Sequence, residues 1–238
     1  VLLADKARAL KDAGLSRITV SLDSLDDSIF RRISDTNVSV QTVLDGIAAA
    51  QSVGFEGLKV NMVVQRGVND REILQMAEHF RHKNIVLRFI EYMDVGSSNG
   101  WQLDEVVSAR QILAQIADRY ALEPVNPNCV GEVAERWRYR DGGGEIGVIA
   151  SITQAFCSSC SRARLSTDGK LYTCLFATQG MDLRESLRMG ADDLVMKDMI
   201  TGCWRQRADQ YSQLRSALQE ESTAQKIDPK VEMSYIGG

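Results

Sequence analysis

The sequence predicts an α/β fold, in which parallel strands covered by helices are followed by a smaller α+β region. Helical and strand patterns alternate in the order αβαβαβα through the first half, which is typical of parallel strands joined by helices. Near residue 121 the pattern changes to short strands joined by "DG" turns, which predict antiparallel hairpins. We therefore divide the 238 residues into domains at 1–120 and 121–238.

Two helices of the first half are predicted from apolar spacing and a terminal glycine. Apolar residues recur at helical spacing within residues 1–14 and 40–54, and the runs close with Gly14 and Gly54. No glycine-rich turn opens a helix after a strand, which weakens a dinucleotide-binding sheet. The alternation fits part of a β/α barrel or a doubly wound sheet.

Two further helices are predicted from their first turns. Asn69 with Glu72, and Ser108 with Gln111, have the spacing of a capping box, and apolar residues at helical spacing follow each pair. We expect helices to begin at both places.

Polar residues interrupt each of the three predicted strands, which are "RITVSLDSL", "LKVNMVV" and "IVLRFIEYM". The residues are Ser21, Asp23, Lys59, Asn61, Arg88 and Glu91. A buried charge is costly unless it is paired, and parallel β/α folds bind ligands at the carboxyl ends of their strands. The pattern therefore indicates either a ligand site or a structural ion pair such as Lys59 with Glu91.

The second half is predicted to contain two hairpins and a broken helix. The hairpins are "ERWRYRDGGGEIGVIASIT" and "ARLSTDGKLYTCLF". A helix over "DLRESLRMGADDLVMKDMITGCW" is expected to break at Gly190, and the polar stretch 205–230 is expected to be partly disordered.

Composition excludes several classes of function. A net charge of −4 provides no basic field for nucleic acid, and no apolar run reaches the length of a membrane-spanning helix. Five cysteines without a secretory signal indicate the reducing cytoplasm. The chain begins without a methionine, inside a predicted helix, so we expect it to be a fragment of a longer protein.

The stretch "FCSSCSRARLSTDGKLYTCLF" places Cys157, Cys160 and Cys174 at the spacing of metal ligands. Structural zinc needs a fourth ligand, for which Cys203 and Cys129 are candidates, and both histidines lie far upstream. An iron–sulfur cluster is equally compatible with the spacing, and three thiolates would leave one iron free. A redox disulfide would leave one of the three cysteines unexplained.

Two arginines next to these cysteines favour an anionic ligand. Arg162 and Arg164 alternate, so in a strand both would point the same way. Guanidinium groups present a planar fork of donors that suits phosphate. A solvated strand face is the alternative, but beside a metal triad we favour the ligand site.

Several motifs together closely resemble the molybdenum-cofactor biosynthesis protein A family, which are radical S-adenosylmethionine (SAM) enzymes with GTP 3′,8-cyclase activity. These are the cysteine–arginine stretch with "VSLDSLD", "KVNMVVQRGVND", "LRFIEYMDVG" and the terminal "YIGG". The resemblance implies the C-terminal part of an incomplete radical SAM β/α barrel, followed by a smaller α+β region with an auxiliary 4Fe–4S cluster. It also implies a lyase that joins ribose C3′ of GTP to guanine C8.

Residue roles follow from the same resemblance. It implies that Cys157, Cys160 and Cys174 hold the auxiliary cluster, and that GTP binds between this cluster and the SAM cluster. The implied GTP-binding residues are Lys59, Arg88, Arg162, Ala163 and Arg164. Ser21 and Met93 would contact SAM, and Gly237 and Gly238 would form a tail that supports activity. A homodimer is one state that the resemblance allows, and no catalytic residue is assigned.

The sequence departs from the family pattern at the motif that binds the SAM cluster. The family's Cys-x3-Cys-x2-Cys motif, which holds the SAM cluster, is absent from the five cysteines. We therefore expect this chain alone to be inactive, with SAM and a second 4Fe–4S cluster belonging to the full-length enzyme. Two alternatives stay open: a non-catalytic zinc-stabilised module that binds a nucleotide or a partner, and another radical SAM enzyme with an auxiliary cluster.

Overall fold

The computed structural model describes residues 1–96, 100–154, 157, 160–207, 211 and 230–236. Its contacts divide the chain into two compact units. The first unit comprises Val1–Tyr92 and Leu103–Gln154, and the second comprises Met93–Gln102 and Ala155–Gly238.

A mixed sheet forms the centre of the first unit. Its strands are β1 (Thr19–Ser21), β2 (Lys59–Val64), β3 (Val86–Glu91), β4 (Leu122–Val125), β5 (Glu135–Tyr139) and β6 (Glu145–Ile149). They are hydrogen-bonded in the order β1-β2-β3-β6-β5-β4. The pairs from β1 to β6 are parallel, whereas β5 is antiparallel to both β6 and β4. The predicted α/β class is confirmed, with an antiparallel edge added to the parallel strands.

Helices of the first unit pack against one face of this sheet. They are α1 (Leu3–Asp12), α2 (Asp27–Ser34), α3 (Val40–Ser52), α4 (Ile73–Phe80) and α5 (Ala109–Ala117). Burial along β2 and β3 alternates strictly, so that Val60, Met62, Leu87 and Phe89 enter the core. The intervening side chains, Lys59 and Arg88 among them, lie on the opposite and only partly buried face.

Most of the predicted helix ends are confirmed. Gly14 and Gly54 adopt positive φ angles of 91° and 77° beyond α1 and α3, a conformation that glycine reaches without strain. The capping box of Ser108 and Gln111 is present at the start of α5. Helix α2 was not predicted, although Asp26 caps it by accepting bonds from two backbone N–H groups.

The capping role expected of Asn69 is wrong. A 3₁₀ turn, Asp70–Glu72, precedes α4, and Asn69 makes no capping bond. Its buried side chain instead donates 2.8 Å bonds to the carbonyls of Asp23 and Val63. The tertiary fold brings the carbonyls of Asp23 and Val63 close to Asn69, and they bind its side-chain amide in place of the helix end.

The first predicted hairpin is confirmed, but it joins the sheet of the first unit. Strands β5 and β6 pair across the glycine-rich turn, and β6 also pairs in parallel with β3. The division expected between residues 120 and 121 therefore does not coincide with a gap in the packing.

The proposed ion pair of Lys59 with Glu91 is wrong. Lys59 is in register with Val86 at the start of β3, whereas Glu91 ends that strand. The fully buried Glu91 carboxylate instead accepts four bonds of 2.5–2.8 Å, from Ala109 N, Ile152 N, Thr153 N and Thr153 Oγ1. It thereby fastens the start of α5 and the segment after β6 to the end of β3.

The second unit has its own small sheet. It consists of β7 (Arg164–Leu165), β8 (Lys170–Tyr172) and β9 (Met181–Asp182), followed by α6 (Arg184–Arg188) and α7 (Asp193–Arg205). The predicted hairpin is confirmed with Gly169 in its turn at φ 84°, and the predicted helix break is confirmed with Gly190 at φ 89°. Most of the stretch expected to be disordered lies outside the described residues. None of the helices in the described ranges could cross a bilayer.

We predict that Glu91→Ala lowers the free energy of unfolding by about 3 kcal/mol, because three backbone N–H groups lose a buried acceptor. Glu91→Gln keeps the shape of the side chain but turns an amide N–H₂ toward the backbone N–H groups. It is expected to lower the free energy of unfolding by about 2 kcal/mol. Chemical denaturation followed by circular dichroism measures both. The exposed Glu56→Gln serves as control, with an expected change within about 0.5 kcal/mol. Equal stability of Glu91→Ala and the parent chain would contradict this role.

Candidate functional site

A row of polar and small residues crosses the partly buried face of the first sheet. Strand register places Ser21 beside Asn61, Asn61 beside Arg88, Arg88 beside Gly147, and Gly147 beside Arg136. Three residues singled out from the sequence, on three different strands, therefore fall into one line. Parallel pairing in register is what brings them together.

Two cations on this face lie in an environment that disfavours their charge. Arg88 donates from Nε to Asn61 Oδ1 at 2.8 Å. Burial, and then the charge of Arg88, lower the pKa of Lys59, while Glu132 opposes this shift. Burial likewise lowers the pKa of Arg88, again opposed by Glu132. An anion bound here would therefore be favoured by both cations.

Sequence reasoning missed the loop that carries Glu132, residues 126–134. Arg136 holds this loop by donating to Asn126 O at 2.7 Å and to Asn128 Oδ1 at 2.9 Å, and it also pairs with Glu145 at 2.6 Å. Glu132 in turn accepts a 2.5 Å bond from Asn128 N. The alternating arginines of "ERWRY" were a usable signal, because they share one face of β5.

The other strand-end residues have separate roles. Ser21 is exposed at the end of β1. Asp23 accepts a 2.8 Å bond from Val63 N, and burial raises the pKa of Asp23 more than this bond lowers it. Asp23 therefore helps to join the chain after β1 to β2.

In the second unit, the candidate ligands Cys157, Cys160 and Cys174 are part-buried free thiols. Arg162 Nη2 donates to Cys160 Sγ at 3.3 Å, and Phe176 N donates to Cys174 Sγ at 3.4 Å. Burial alone would raise the pKa of Cys160. Bonds from the backbone and side chain of Arg162, together with nearby positive charge, outweigh burial and hold that pKa below its usual range. The environment thus favours the thiolate, which is the form that binds metals.

Arg164 lies in the electrostatic field of the same thiols. Burial and the charge of Arg162 lower the pKa of Arg164, whereas Cys160 and Cys174 oppose the shift. Arg164 begins β7, and Arg162 precedes that strand. The side chains that the sequence grouped by spacing are therefore coupled through their charges. Ala163, between them, is exposed.

Among the described residues, no three His, Cys, Asp or Glu side chains converge closely enough to hold one metal ion. Three thiols with a neighbouring guanidinium are chemically suited to thiolate ligation of iron.

Arg207 is a further residue at this centre that sequence reasoning missed. Its guanidinium donates to Cys160 O at 2.6 Å and to Cys157 O at 3.4 Å, and lies 4.7 Å from the ring centroid of Trp204. One rigid fork thus bridges the carbonyls of both cysteines of the Cys-x2-Cys turn. No local pattern could reveal this contact, because it spans 47 and 50 residues of sequence.

The chain near residue 230 is tied to the segment that follows β3. Lys230 Nζ donates to both Asp94 O and Asp94 Oδ2 at 2.8 Å, and Tyr211 Oη donates to Asp94 Oδ2 at 2.6 Å. Asp94 is buried and directly follows Met93, a part-buried candidate SAM ligand.

Gly237 and Gly238 lie outside the described residues, but the residues before them are anchored. Ile236 is buried, and Tyr235 hydrogen-bonds Asp168 in the turn between β7 and β8. Bonds from Ser166 and then Tyr235 lower the pKa of Asp168 to about 2, and the bond to Asp168, then burial, raises the pKa of Tyr235 to about 12.

Comparisons with known proteins agree with one another. The Radical SAM superfamily model matches residues 1–80, and the Molybdenum Cofactor Synthesis C model matches residues 85–228. A protein of Acidothermus cellulolyticus named GTP 3′,8-cyclase is 48% identical over 257 residues, covering 100% of this chain and 71% of the relative. Proteins of the same name from Staphylococcus aureus strains JH9 and Newman are 44% identical over 239 residues, covering 100% of this chain and 69% of each relative.

We predict that Asp168→Asn moves the titration of Tyr235 from about 12 toward the ordinary tyrosine value of about 10. The Asp168 pKa lies below its unfolded value, so its stabilising effect is present above about pH 4 and is lost as the pH falls through about 2. The Tyr235 pKa lies above its unfolded value, so its effect is present below about pH 10 and is lost as the pH rises through about 12. Tyrosinate absorbance measures this midpoint, with Tyr235→Phe used to subtract the other tyrosines. An unchanged midpoint in Asp168→Asn would contradict the contact.

Proposed function

Because the chain belongs to the GTP 3′,8-cyclase family of radical SAM enzymes, which act in molybdenum cofactor synthesis, we propose that it supplies the GTP-binding part of such a cyclase. The reaction is proposed to join ribose C3′ of GTP to guanine C8, which places the enzyme among the lyases. The observation that carries this proposal is the arrangement of Arg162 and Arg164 around the thiols of the Cys-x2-Cys segment. It combines donors for phosphate with soft ligands for iron.

Cys157, Cys160 and Cys174 are proposed to hold the auxiliary 4Fe–4S cluster. When bound, a cluster held by three thiolates leaves one iron position for an outside ligand. The chain's own contribution is to lower the pKa of the Cys160 thiol through Arg162, and to fix the Cys-x2-Cys turn through Arg207.

Lys59, Arg88, Arg162, Ala163 and Arg164 are proposed to bind GTP. Burial already lowers the pKa of Lys59, Arg88 and Arg164, so a bound triphosphate would relieve an existing cost of keeping their charges. These residues would position the substrate and neutralise its charge, while the cofactor supplies the radical chemistry. Ser21 and Met93 are proposed SAM contacts, Gly237 and Gly238 a supporting tail, and a homodimer stays a prediction.

SAM cleavage is not proposed for this chain alone. None of its five cysteines has the Cys-x3-Cys-x2-Cys spacing that holds the family's SAM cluster. The proposed role of the chain is therefore the auxiliary cluster and the substrate.

We predict that anaerobic reconstitution with iron and sulfide gives a brown protein with about four irons per chain. Ser substitution of Cys157, Cys160 or Cys174 should abolish most of the bound iron, whereas Cys203→Ser is the matched control and should retain it. Iron analysis and visible absorption measure the result. Colourless protein with one zinc per chain would favour a zinc-stabilised module, and clearly more than about four irons would contradict a single cluster.

We also predict that the reconstituted chain binds GTP in preference to ATP. Arg162→Ala and Arg164→Ala should each weaken GTP binding by about tenfold or more, the loss of one charge-assisted contact. Arg188→Ala, an exposed arginine of α6, is the matched control. Calorimetric titration under anaerobic conditions measures the affinities. Preference for ATP, or unchanged affinity in both variants, would overturn the GTP-binding role.

A further inference from the structure

Arg88 lies in a slot on the partly buried face of the first sheet. Asn61 on β2 and Gly147 on β6 flank it in register, and Ala134 of the loop before β5 packs against the same place. Three separate chain segments therefore surround one cationic side chain.

Gly147 is explained by the space that Arg88 occupies. The φ angle of Gly147 is not in the positive region, so the backbone conformation does not require glycine. A Cβ at this position would lie 3.0 Å from Arg88 Cγ, 3.5 Å from Arg88 Cδ and 3.3 Å from Ala134 Cβ. Glycine weakens a strand interior and often marks the close approach of another group. Here the approaching group is the aliphatic stem of Arg88.

Asn61 fixes the other end of the same side chain. Its Oδ1 accepts the 2.8 Å bond from Arg88 Nε, and Thr19 Oγ1 lies 3.5 Å from Nη2. With the stem confined beside Gly147 and Nε bonded, the guanidinium has little rotational freedom left. A long side chain held in its binding conformation loses less entropy when a ligand arrives.

We propose that Gly147 and Asn61 are positioning residues that hold Arg88 in the conformation from which it meets the triphosphate of GTP. This inference rests on the proposed function, because it takes Arg88 as a GTP ligand. Gly147 acts by leaving space for the aliphatic stem of Arg88, and Asn61 acts by orienting the guanidinium of Arg88. Neither residue needs to touch the nucleotide.

The test is a double-mutant cycle on the anaerobically reconstituted chain, with GTP and GMP as the titrated probes. Arg88→Ala and Gly147→Ala are each expected to weaken GTP binding by about tenfold, and Asn61→Ala by a similar factor. In the Arg88→Ala background, Gly147→Ala and Asn61→Ala should have no further effect, because the side chain through which they act is gone. The loss should be larger for GTP than for GMP, since Arg88 is assigned to the triphosphate.

Folding is controlled separately. The free energy of unfolding of Gly147→Ala is measured beside its GTP affinity, because the new Cβ would crowd Ala134 Cβ at 3.3 Å as well as the stem of Arg88. Gly202→Ala is the matched control, because its Cβ would meet no atom within 4 Å and its φ is not positive. It should leave GTP affinity unchanged.

Failure of the proposed GTP-binding function can be told apart from failure of the positioning role. Unchanged affinity in Arg88→Ala would remove Arg88 from the proposed GTP site, and the inference would fall with it. If Arg88→Ala weakens binding but Gly147→Ala and Asn61→Ala do not, the proposed function stands and the positioning role is overturned. Equal losses for GTP and GMP, or full additivity with Arg88→Ala, would likewise overturn it and indicate a general distortion of the sheet.

Discussion

The fully buried carboxylate of Glu91 is the constraint on which the first unit depends. A buried charge is tolerated only where donors surround it, and here four donors from Ala109, Ile152 and Thr153 do so. The chain leaves the first unit just after residue 92 and again just after residue 154. Both departures lie within three residues of groups that this carboxylate joins.

The partly buried face of the sheet follows from the same architecture. Strict alternation sends Val60, Met62, Leu87 and Phe89 to the helices, so residues of the other parity must occupy the opposite face. A cation there is only partly hydrated, which is why burial lowers the pKa of Lys59 and of Arg88. Such a face would favour an anionic ligand.

The helices and the tight turn were predictable from the sequence, because interactions between neighbouring residues determine them. The helices beginning near Leu3, Val40, Ile73 and Ala109 have apolar faces at helical spacing, and the turn at Gly169 has its residue type dictated by φ. The pairing of β6 with β3 and the four donors of Glu91 were not predictable, because they join residues up to 62 positions apart. The same holds for Arg207 at the Cys-x2-Cys turn. In the candidate site, residue types indicated the chemistry, but only the fold showed which neighbours hold Arg88 and Cys160.

The cysteine segment shows why soft ligands and fixed positive charges occur together. Three thiolates in a part-buried place would repel one another and lose hydration. Arg162 offsets this cost by donating directly to Cys160 Sγ, and Arg207 adds a second fixed charge through the carbonyls of Cys157 and Cys160. Arg164 is in turn supported by the negative charge of Cys160 and Cys174. The charge of Arg162 lowers the pKa of Arg164, which the nearby thiols oppose. Loss of Arg162 would raise the pKa of Cys160 and would also remove a proposed donor for phosphate, so the proposed cluster and the proposed nucleotide site would depend on the same charge.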